Sequence, residues 1–260
     1  MKCFESDQVI YEFSYGMDAI AHIEDGEEFT VKTNDCFFQQ IKTKDDLISE
    51  IDFAHVNPAT GPFYINGAEP GDILKVDILD IKIADEGVIV VLPGAGVLGD
   101  QASKALTRVV PIEDNQVNFL GIKENIDPMI GVIGVSPGKD QEGVVTGTPG
   151  NHGGNMDTTD IRANTSLYFP VREEGAMLAL GDFHAIMGDG ELCVAGLELE
   201  AEVKLRVSVI KDKEIDWPVL ESSDEFMVIA SGETIEKASY NAGSQITKFI
   251  QDKFEFEWEE

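Results

Sequence analysis

The side chains best suited to acid–base or metal chemistry are concentrated in two neighbouring segments. Residues 151–161 are NHGGNMDTTDI, and residues 181–200 are GDFHAIMGDGELCVAGLELE. The 260 residues include four histidines, and two of them, His152 and His184, lie in these segments. Glycines stand beside most of the polar residues, and glycine lets the backbone turn tightly and approach a bound group closely. We therefore predict a polar site within residues 151–198, whose further candidates are Asn155, Asp157, Asp182, Asp189 and Glu191.

The candidates form three pairs whose members are two residues apart: Asn155 with Asp157, Asp182 with His184, and Asp189 with Glu191. In an extended strand such neighbours point to the same face, so each pair could direct two heteroatoms toward one point. Histidine with aspartate or glutamate suits Zn²⁺, whereas clustered carboxylate and amide oxygens suit Ca²⁺ or Mg²⁺. A metal with an open position would polarise a carbonyl group or lower the pKa of a bound water.

Structural roles are the alternative for several of these residues. Asp189 and Gly190 stand between apolar runs, which is also the signature of a simple hairpin turn. A lone His152 is more often a structural hydrogen-bonding residue than a ligand. Cys193 stands two residues after Glu191 and is a candidate catalytic thiol, but its apolar neighbours favour a buried residue in a strand.

Several stretches of the chain resemble the acetamidase/formamidase family. HGGNMD (152–157) and GDFHAIMGDGE (181–191) are similar to two signature segments of that family, and the similarity extends to residues 54–81 and 92–100. The resemblance implies a mostly β fold and a metal-associated hydrolase that converts short linear amides, such as formamide or acetamide, to the acid and ammonia. It also implies a homodimer or a higher homo-oligomer.

With this resemblance, the candidate residues take hypothetical roles. Glu191 is the expected general base, and His152 and Asn155 are expected to hydrogen-bond the substrate or the oxyanion. The expected cofactor is a divalent metal, Zn²⁺ and/or Ca²⁺, and its expected ligands are His55, Asp157, Asp182 and His184, with Asp189 serving a second ion. The alternative is a non-enzymatic oligomer that the metal stabilises structurally.

Two further motifs match known signatures only formally. Residues 94–99, GAGVLG, satisfy G-x-G-x-x-G after an apolar strand, but too few residues follow for the crossover helix that a dinucleotide site needs. Residues 134–138, GVSPG, satisfy G-x-S-x-G. Pro137 follows the serine there and has no N–H for an oxyanion hole, so a serine hydrolase is not indicated.

Composition excludes several classes of partner. With 19 basic and 49 acidic residues the net charge is −30, so binding to nucleic acid or to an anionic membrane is disfavoured. No apolar run is long enough to span a membrane, and the first residues lack the apolar region of a signal peptide, so we expect a cytoplasmic protein whose partner is a small amide. Three widely separated cysteines indicate reduced thiols.

Short apolar runs separated by turn residues about every ten positions predict a mainly β fold of two packed sheets, sandwich-like or barrel-like. Apolar residues at helical spacing over 233–254 predict a C-terminal helix, and KDDLISEID (44–52) predicts a short one. We expect one domain over residues 1–260, with subdomains 1–125 and 126–260.

Overall fold

The computed structural model describes residues 1–255 and 257–258, and most of its regular structure is β. One helix, α1, spans Ile235–Phe254. Short 3₁₀ turns lie at Ile48–Glu50, Phe53–His55 and Gly99–Gln101. The strands are β1 (Lys2–Phe4), β2 (Val9–Ile10), β3 (Glu12–Phe13), β4 (Ala21–Ile23), β5 (Glu28–Thr33), β6 (Ala59–Ile65), β7 (Ile73–Ile83), β8 (Glu86–Val91), β9 (Leu106–Glu113), β10 (Gln116–Phe119), β11 (Ile122–Asn125), β12 (Met129–Gly134), β13 (Val144–Val145), β14 (Gly153–Asn155), β15 (Thr165–Pro170), β16 (Leu178–His184), β17 (Glu198–Leu199), β18 (Ala201–Ile210), β19 (Val219–Glu221) and β20 (Phe226–Val228).

The larger sheet is built around strand β16, every residue of which is buried. The strand order is β11-β10-β9-β8-β17-β16-β12-β14, and β6 also pairs with β16 and with β2 and β4. Strand β16 therefore has antiparallel partners in β12, β17 and β6. A strand in this position is covered by other parts of the chain, which suits its nearly continuous apolar run.

The second sheet has seven strands in the order β1-β5-β18-β7-β15-β19-β20. One continuous hydrophobic core joins side chains from both large sheets, for example Phe29, Leu74 and Leu205 from this sheet and Phe63 and Phe183 from the larger one. Burying such side chains is the main favourable contribution to folding. The two sheets therefore pack against each other, and the prediction of a mainly β fold of two packed sheets is confirmed.

The predicted C-terminal helix is confirmed as α1. It begins after Thr234, whose hydroxyl oxygen accepts a hydrogen bond from the backbone N–H of Lys237 at 3.1 Å, as an N-cap residue does. Phe249 packs on Phe226 of β20 with ring centroids 5.1 Å apart, which attaches the helix to the end of the seven-stranded sheet. No helix in residues 1–255 is both long and apolar enough to cross a membrane.

Two local predictions are wrong. Residues 44–52 form the 3₁₀ turn Ile48–Glu50 instead of an α-helix, because the Asp46 carboxylate accepts hydrogen bonds from the N–H groups of Lys42 and Thr43 and fixes a turn. Residues 192–197 form a loop instead of a strand, in which Cys193 is only partly buried and has a left-handed backbone (φ 63°).

The two formal motifs have structural roles. Strands β8 and β9 on either side of the glycine-rich loop are antiparallel, whereas a dinucleotide fingerprint lies between parallel strands joined by a helix. Ser136 is fully buried, and its hydroxyl oxygen accepts a hydrogen bond from the N–H of Gly138 at 3.3 Å. These contacts agree with the expectation that neither motif is a site.

Candidate active site

Four carboxyl groups surround one imidazole at the centre of the larger sheet. We call Asp157, Asp182, His184, Glu191 and Glu198 the acidic cluster. Three of its ligand atoms, from Asp157, Asp182 and His184, lie within 4.8 Å of one another, and so do those from His184, Glu191 and Glu198. The structure thus brings together four residues predicted from the sequence and adds Glu198.

Strand pairing positions the imidazole against Glu198. His184 ends β16, and it lies directly opposite Glu198 of β17 in the antiparallel register. Direct cross-strand neighbours have side chains close enough to interact. The His184 Nε2 atom lies 3.0 Å from Glu198 Oε1 and 3.7 Å from Asp182 Oδ1, although it forms a hydrogen bond with neither. All three side chains are almost completely buried.

The carboxylates are carried on unusual backbone. Asp157, Asp182 and Glu191 have φ values of 41°, 57° and 37°, in the left-handed region that side chains other than glycine rarely adopt. Such conformations cost on the order of 1–3 kcal/mol each and persist where the surrounding structure fixes them. Three of them within one cluster are typical of a functional site.

A glycine beneath the cluster leaves room for two of the carboxylates. Gly131 of β12 lies next to Asp182 of β16 in the sheet. A Cβ atom at Gly131 would lie 2.6 Å from Asp157 Oδ1 and 2.7 Å from Asp182 Oδ2, both closer than real Cβ contacts. Only a glycine at this position lets both carboxylates point into the cluster.

A short chain of hydrogen bonds supports Asp182 from a distant part of the sequence. The Cys36 thiol donates to Asn57 Oδ1 at 2.9 Å, and the Asn57 side-chain N–H group donates to Asp182 Oδ2 at 3.4 Å. Asn57 also has a left-handed backbone, with φ 54°. These contacts hold one Asp182 oxygen, and the other oxygen is directed toward His184.

The acidic cluster contains more acidic groups than basic groups, and all of them are buried or partly buried. Burial, together with the charges of Asp182 and Glu191, raises the pKa of Asp157 to about 8. Burial also raises the pKa of Glu198 well above its usual value. Burial alone would lower the pKa of His184, but the facing carboxylates raise it well above its usual value. One imidazolium cannot balance four carboxylates, so the cluster would stabilise a further positive charge.

The donor atoms of the cluster fit a divalent cation. Five of its buried atoms have no hydrogen-bond partner within the described residues: Asp157 Oδ1, Asp182 Oδ1, His184 Nδ1, His184 Nε2 and Glu198 Oε2. Buried polar atoms are normally paired, so unpaired ones require an explanation. Carboxylate oxygens with an imidazole nitrogen are ligands that Zn²⁺ takes in proteins.

The cluster forms the floor of an open cavity of about 660 Å³. Asn155, Asp157, Asp182, Glu191 and Glu198 line its polar end. The buried Asn155 Oδ1 has no hydrogen-bond partner among the described residues. The remaining walls are mostly apolar and come from segments near residues 11, 36–56, 90–95 and 145.

The structure places three predicted site residues outside both the cluster and the lining of this cavity. His55 is exposed, and its Nδ1 lies 2.9 Å from Asp52 Oδ2. Asp189 is exposed and accepts a hydrogen bond from the Thr159 hydroxyl at 2.8 Å. His152 is buried against the ring of Phe13, with ring centroids 5.1 Å apart. These positions favour structural roles for His55 and Asp189, whereas the Nε2 atom of His152 is buried without a hydrogen-bond partner among the described residues.

Four residues of the site were not among the predicted ligands: Cys36, Asn57, Gly131 and Glu198. Glu198 stands in an alternating polar–apolar run, which predicts a solvated side chain. Asn57 is two positions from the predicted His55, within the same family-like segment. No motif or spacing in the sequence indicated a role in the site for Cys36 or Gly131.

Comparison with known proteins agrees with the resemblance noted in the sequence. The model of the acetamidase/formamidase family matches residues 6–142 and 139–242. The chain belongs to this family. It is 27% identical over 279 residues to a formamidase of Methylophilus methylotrophus, an alignment that covers 81% of this chain and 66% of that relative. The chain therefore spans just under two thirds of the length of that family member.

Two solved structures of similar proteins share the fold over nearly the whole chain. An acetamidase from Bacillus halodurans has 41% sequence identity and a TM-score of 0.92, and the match covers 96% of this chain and 84% of the other. A recombinant predicted acetamidase/formamidase of Thermoanaerobacter tengcongensis has 42% identity and the same TM-score, with 96% and 83% covered. The acidic cluster is therefore carried on the fold of acetamidase-like proteins.

We predict that Gly131→Ala weakens the binding of a divalent cation by roughly 10–100-fold, the range found when residues that orient metal ligands are changed. The added methyl group would displace Asp157 and Asp182. Zn²⁺ affinity measured against a competing chelator checks the prediction. The control is Gly243→Ala on α1, where a Cβ meets nothing within 4 Å. Unchanged affinity in a folded Gly131→Ala protein would contradict the prediction.

A second prediction concerns pH. Burial, with the nearby Arg172, lowers the pKa of His152 from 6.5 to about 4. The unfolded chain then binds the proton more readily, so this group reduces stability as the pH falls from 6.5 toward 4 and has no effect above that window. Between about pH 7 and 5 the wild type should lose on the order of 2 kcal/mol more than His152→Gln in urea unfolding.

The exposed His22 provides the control for this comparison. His22→Gln also removes one histidine, and we expect it to follow the wild-type pH profile. If His152→Gln loses as much stability on acidification as the wild type does, then burial of His152 is not the cause of the acid sensitivity.

Proposed function

We propose that this protein hydrolyses a linear carboxamide to a carboxylate and ammonia, with a divalent cation bound by the acidic cluster. The observation that carries the proposal is the cluster itself, because its carboxylates form the floor of an open cavity and lie against a buried imidazole, with unpaired ligand atoms on both. Membership of the acetamidase/formamidase family supports amide hydrolysis as the reaction.

The proposed ligands are Asp157, Asp182, His184 and Glu198. The imidazole nitrogen favours Zn²⁺, since Ca²⁺ and Mg²⁺ prefer oxygen ligands alone. When bound, such a cation supplies Lewis-acid activation of the amide and of water. Asp182 is held for this role by Asn57, and His184 is held by its position opposite Glu198.

Glu191 is the proposed general base. It lies on the loop between β16 and β17, at the polar end of the cavity, and its side chain is only partly buried, so a water molecule can reach it. Its carboxylate would accept a proton from the attacking water as the new C–O bond forms. It would then give that proton to the amide nitrogen as the C–N bond breaks and ammonia leaves.

Asn155 is the proposed contact for the substrate's amide group. Its side-chain oxygen is buried at the polar end of the cavity and lacks a partner among the described residues. An amide NH₂ group donates hydrogen bonds, so it would satisfy this oxygen. The contact would orient the carbonyl carbon toward the cluster, and orientation of the reacting groups is itself a large part of catalysis.

We predict that purified protein releases ammonia from acetamide or formamide, that treatment with a chelator abolishes release, and that Zn²⁺ restores it. Ca²⁺ added back separately tests the choice of ion. Thermal unfolding is measured on the same samples. Chelation that lowers the unfolding temperature of a protein that never releases ammonia would instead support the alternative of a structural metal.

We further predict that Glu191→Gln lowers kcat by about 10²–10⁴-fold, the usual contribution of a general base, while the metal content measured by elemental analysis stays at the wild-type level. The glutamine side chain cannot accept the proton, but it has nearly the same shape as the glutamate side chain. Glu86→Gln, at an exposed position on β8, is the matched control. Near-normal turnover of Glu191→Gln would remove Glu191 from this role.

A further inference from the structure

The cavity above the acidic cluster is much larger than a formamide or an acetamide molecule. Its volume of about 660 Å³ falls within the range of sites that hold far larger ligands, roughly 300–1,000 Å³. Most of its carboxylates lie at the end where the cluster is, whereas many of the other lining residues are apolar. The rest of the cavity therefore surrounds whatever is attached to the carbonyl carbon of the substrate.

The inner wall beside the cluster is apolar and already formed. Phe37, Ile48 and Val90 line the cavity, and they belong to one small hydrophobic core together with Cys36. The Cys36 sulfur is also within 4.8 Å of ligand atoms of the acidic cluster. The apolar wall thus begins directly next to the polar floor, which is the arrangement that a carboxamide with an apolar acyl group would require.

The rim of the cavity exposes apolar side chains to water. Phe53, Val145 and Val194 line it and retain 54%, 57% and 38% of their surface exposed. They come from three separate segments of the chain. Clustered exposed apolar groups around a cavity are typical of a ligand-binding groove, and burying them against a ligand is favourable.

The charges around the cavity restrict the acyl group further. The described lining residues include Glu12 and the carboxylates of the floor, and none of them is Lys or Arg. An acyl group that carries a carboxylate would meet only negative charge at this site and in the surrounding field of a protein with net charge −30. The acyl group that fits therefore carries no carboxylate, and the apolar wall of Phe37, Ile48 and Val90 favours a neutral one over a cationic one.

We propose that the substrate is a primary amide whose acyl group is a neutral apolar chain or ring of about five to eight carbons, a size suited to a cavity of this class. This proposal rests on the proposed amide hydrolysis. The amide group binds at the acidic cluster, and the acyl group lies along the wall of Phe37, Ile48 and Val90. Hydrolysis then yields ammonia and a medium-chain or aryl-alkyl carboxylic acid, which the acidic surroundings repel.

The test measures ammonia release from acetamide, butanamide, hexanamide and phenylacetamide, with the monoamide of adipic acid as a charged control. Each additional buried CH₂ should raise kcat/KM roughly fourfold, so hexanamide should exceed acetamide by tenfold or more. The adipic monoamide has the same chain length as hexanamide and a terminal carboxylate. Its kcat/KM should be equal to that of acetamide or lower.

A rim variant locates the effect in this cavity. Phe53→Ala removes an exposed ring, so folding should survive, and it should lower kcat/KM for hexanamide roughly tenfold through KM. The loss for acetamide should be much smaller, because acetamide does not extend to the rim. Tyr240→Ala removes an exposed aromatic ring on α1, outside the cavity lining, and should leave the ratio of the kcat/KM values for the two substrates unchanged.

The outcomes separate the two proposals. Equal or faster turnover of acetamide would overturn the proposed acyl group while amide hydrolysis stands. A preference for hexanamide that Phe53→Ala does not alter would also overturn the assignment to this cavity. If no amide in the series releases ammonia in the presence of Zn²⁺, the proposed hydrolysis fails and the acyl-group proposal fails with it.

Discussion

Buried negative charge is the constraint on which the rest of this site depends. Removing several carboxylates from water is costly unless positive charge or hydrogen bonds compensate them. The fold brings four carboxyl groups against His184, and the raised pKa values of Asp157 and Glu198 show the strain of that arrangement. A bound divalent cation would remove most of this repulsion. The packing of the surrounding sheets must therefore keep these carboxylates in place against their mutual repulsion.

The backbone of the larger sheet supplies that rigidity through close packing. Strand β16 has partners on both sides, and glycines allow those partners to approach. A Cβ at Gly181 would lie 2.1 Å from the carbonyl oxygen of Pro58, just as one at Gly131 would meet Asp157 and Asp182. Because both neighbours are this close, Asp182 can be kept in a left-handed conformation that an isolated strand would relax.

The fold class and the central part of the site could be predicted from sequence, because both depend on local patterns. Alternating apolar runs indicated the sheets, helical spacing indicated α1, and glycine-flanked polar residues indicated Asp157, Asp182, His184 and Glu191. Glu198 was not predicted as a ligand because β17 belongs to the larger sheet and is buried, whereas the next strand, β18, belongs to the other sheet and shows the expected alternation. The chain passes from the larger sheet to the seven-stranded sheet between Leu199 and Ala201, and the alternation of polar and apolar residues in the sequence does not change there.

Other residues could not be predicted because they depend on contacts between distant segments. In the loop before β6, the left-handed backbone of Asn57 turns its side chain to Asp182, and His55 instead turns to Asp52. The apolar walls of the cavity likewise come from segments far from the motifs. No aromatic cluster stands near the motifs to indicate a spacious cavity, since the walls are assembled only when the sheets and loops come together.

The site is distributed over strands and loops. The residues of the acidic cluster and the residues at the rim of the cavity can therefore evolve at different rates. Asp182, His184 and Glu198 lie on paired strands of the sheet core, where replacement disturbs packing and register together. Phe53, Val145 and Val194 lie at the exposed rim, where replacement disturbs little else. Substitutions at the rim could therefore alter the acyl group proposed for the substrate while the acidic cluster stays unchanged.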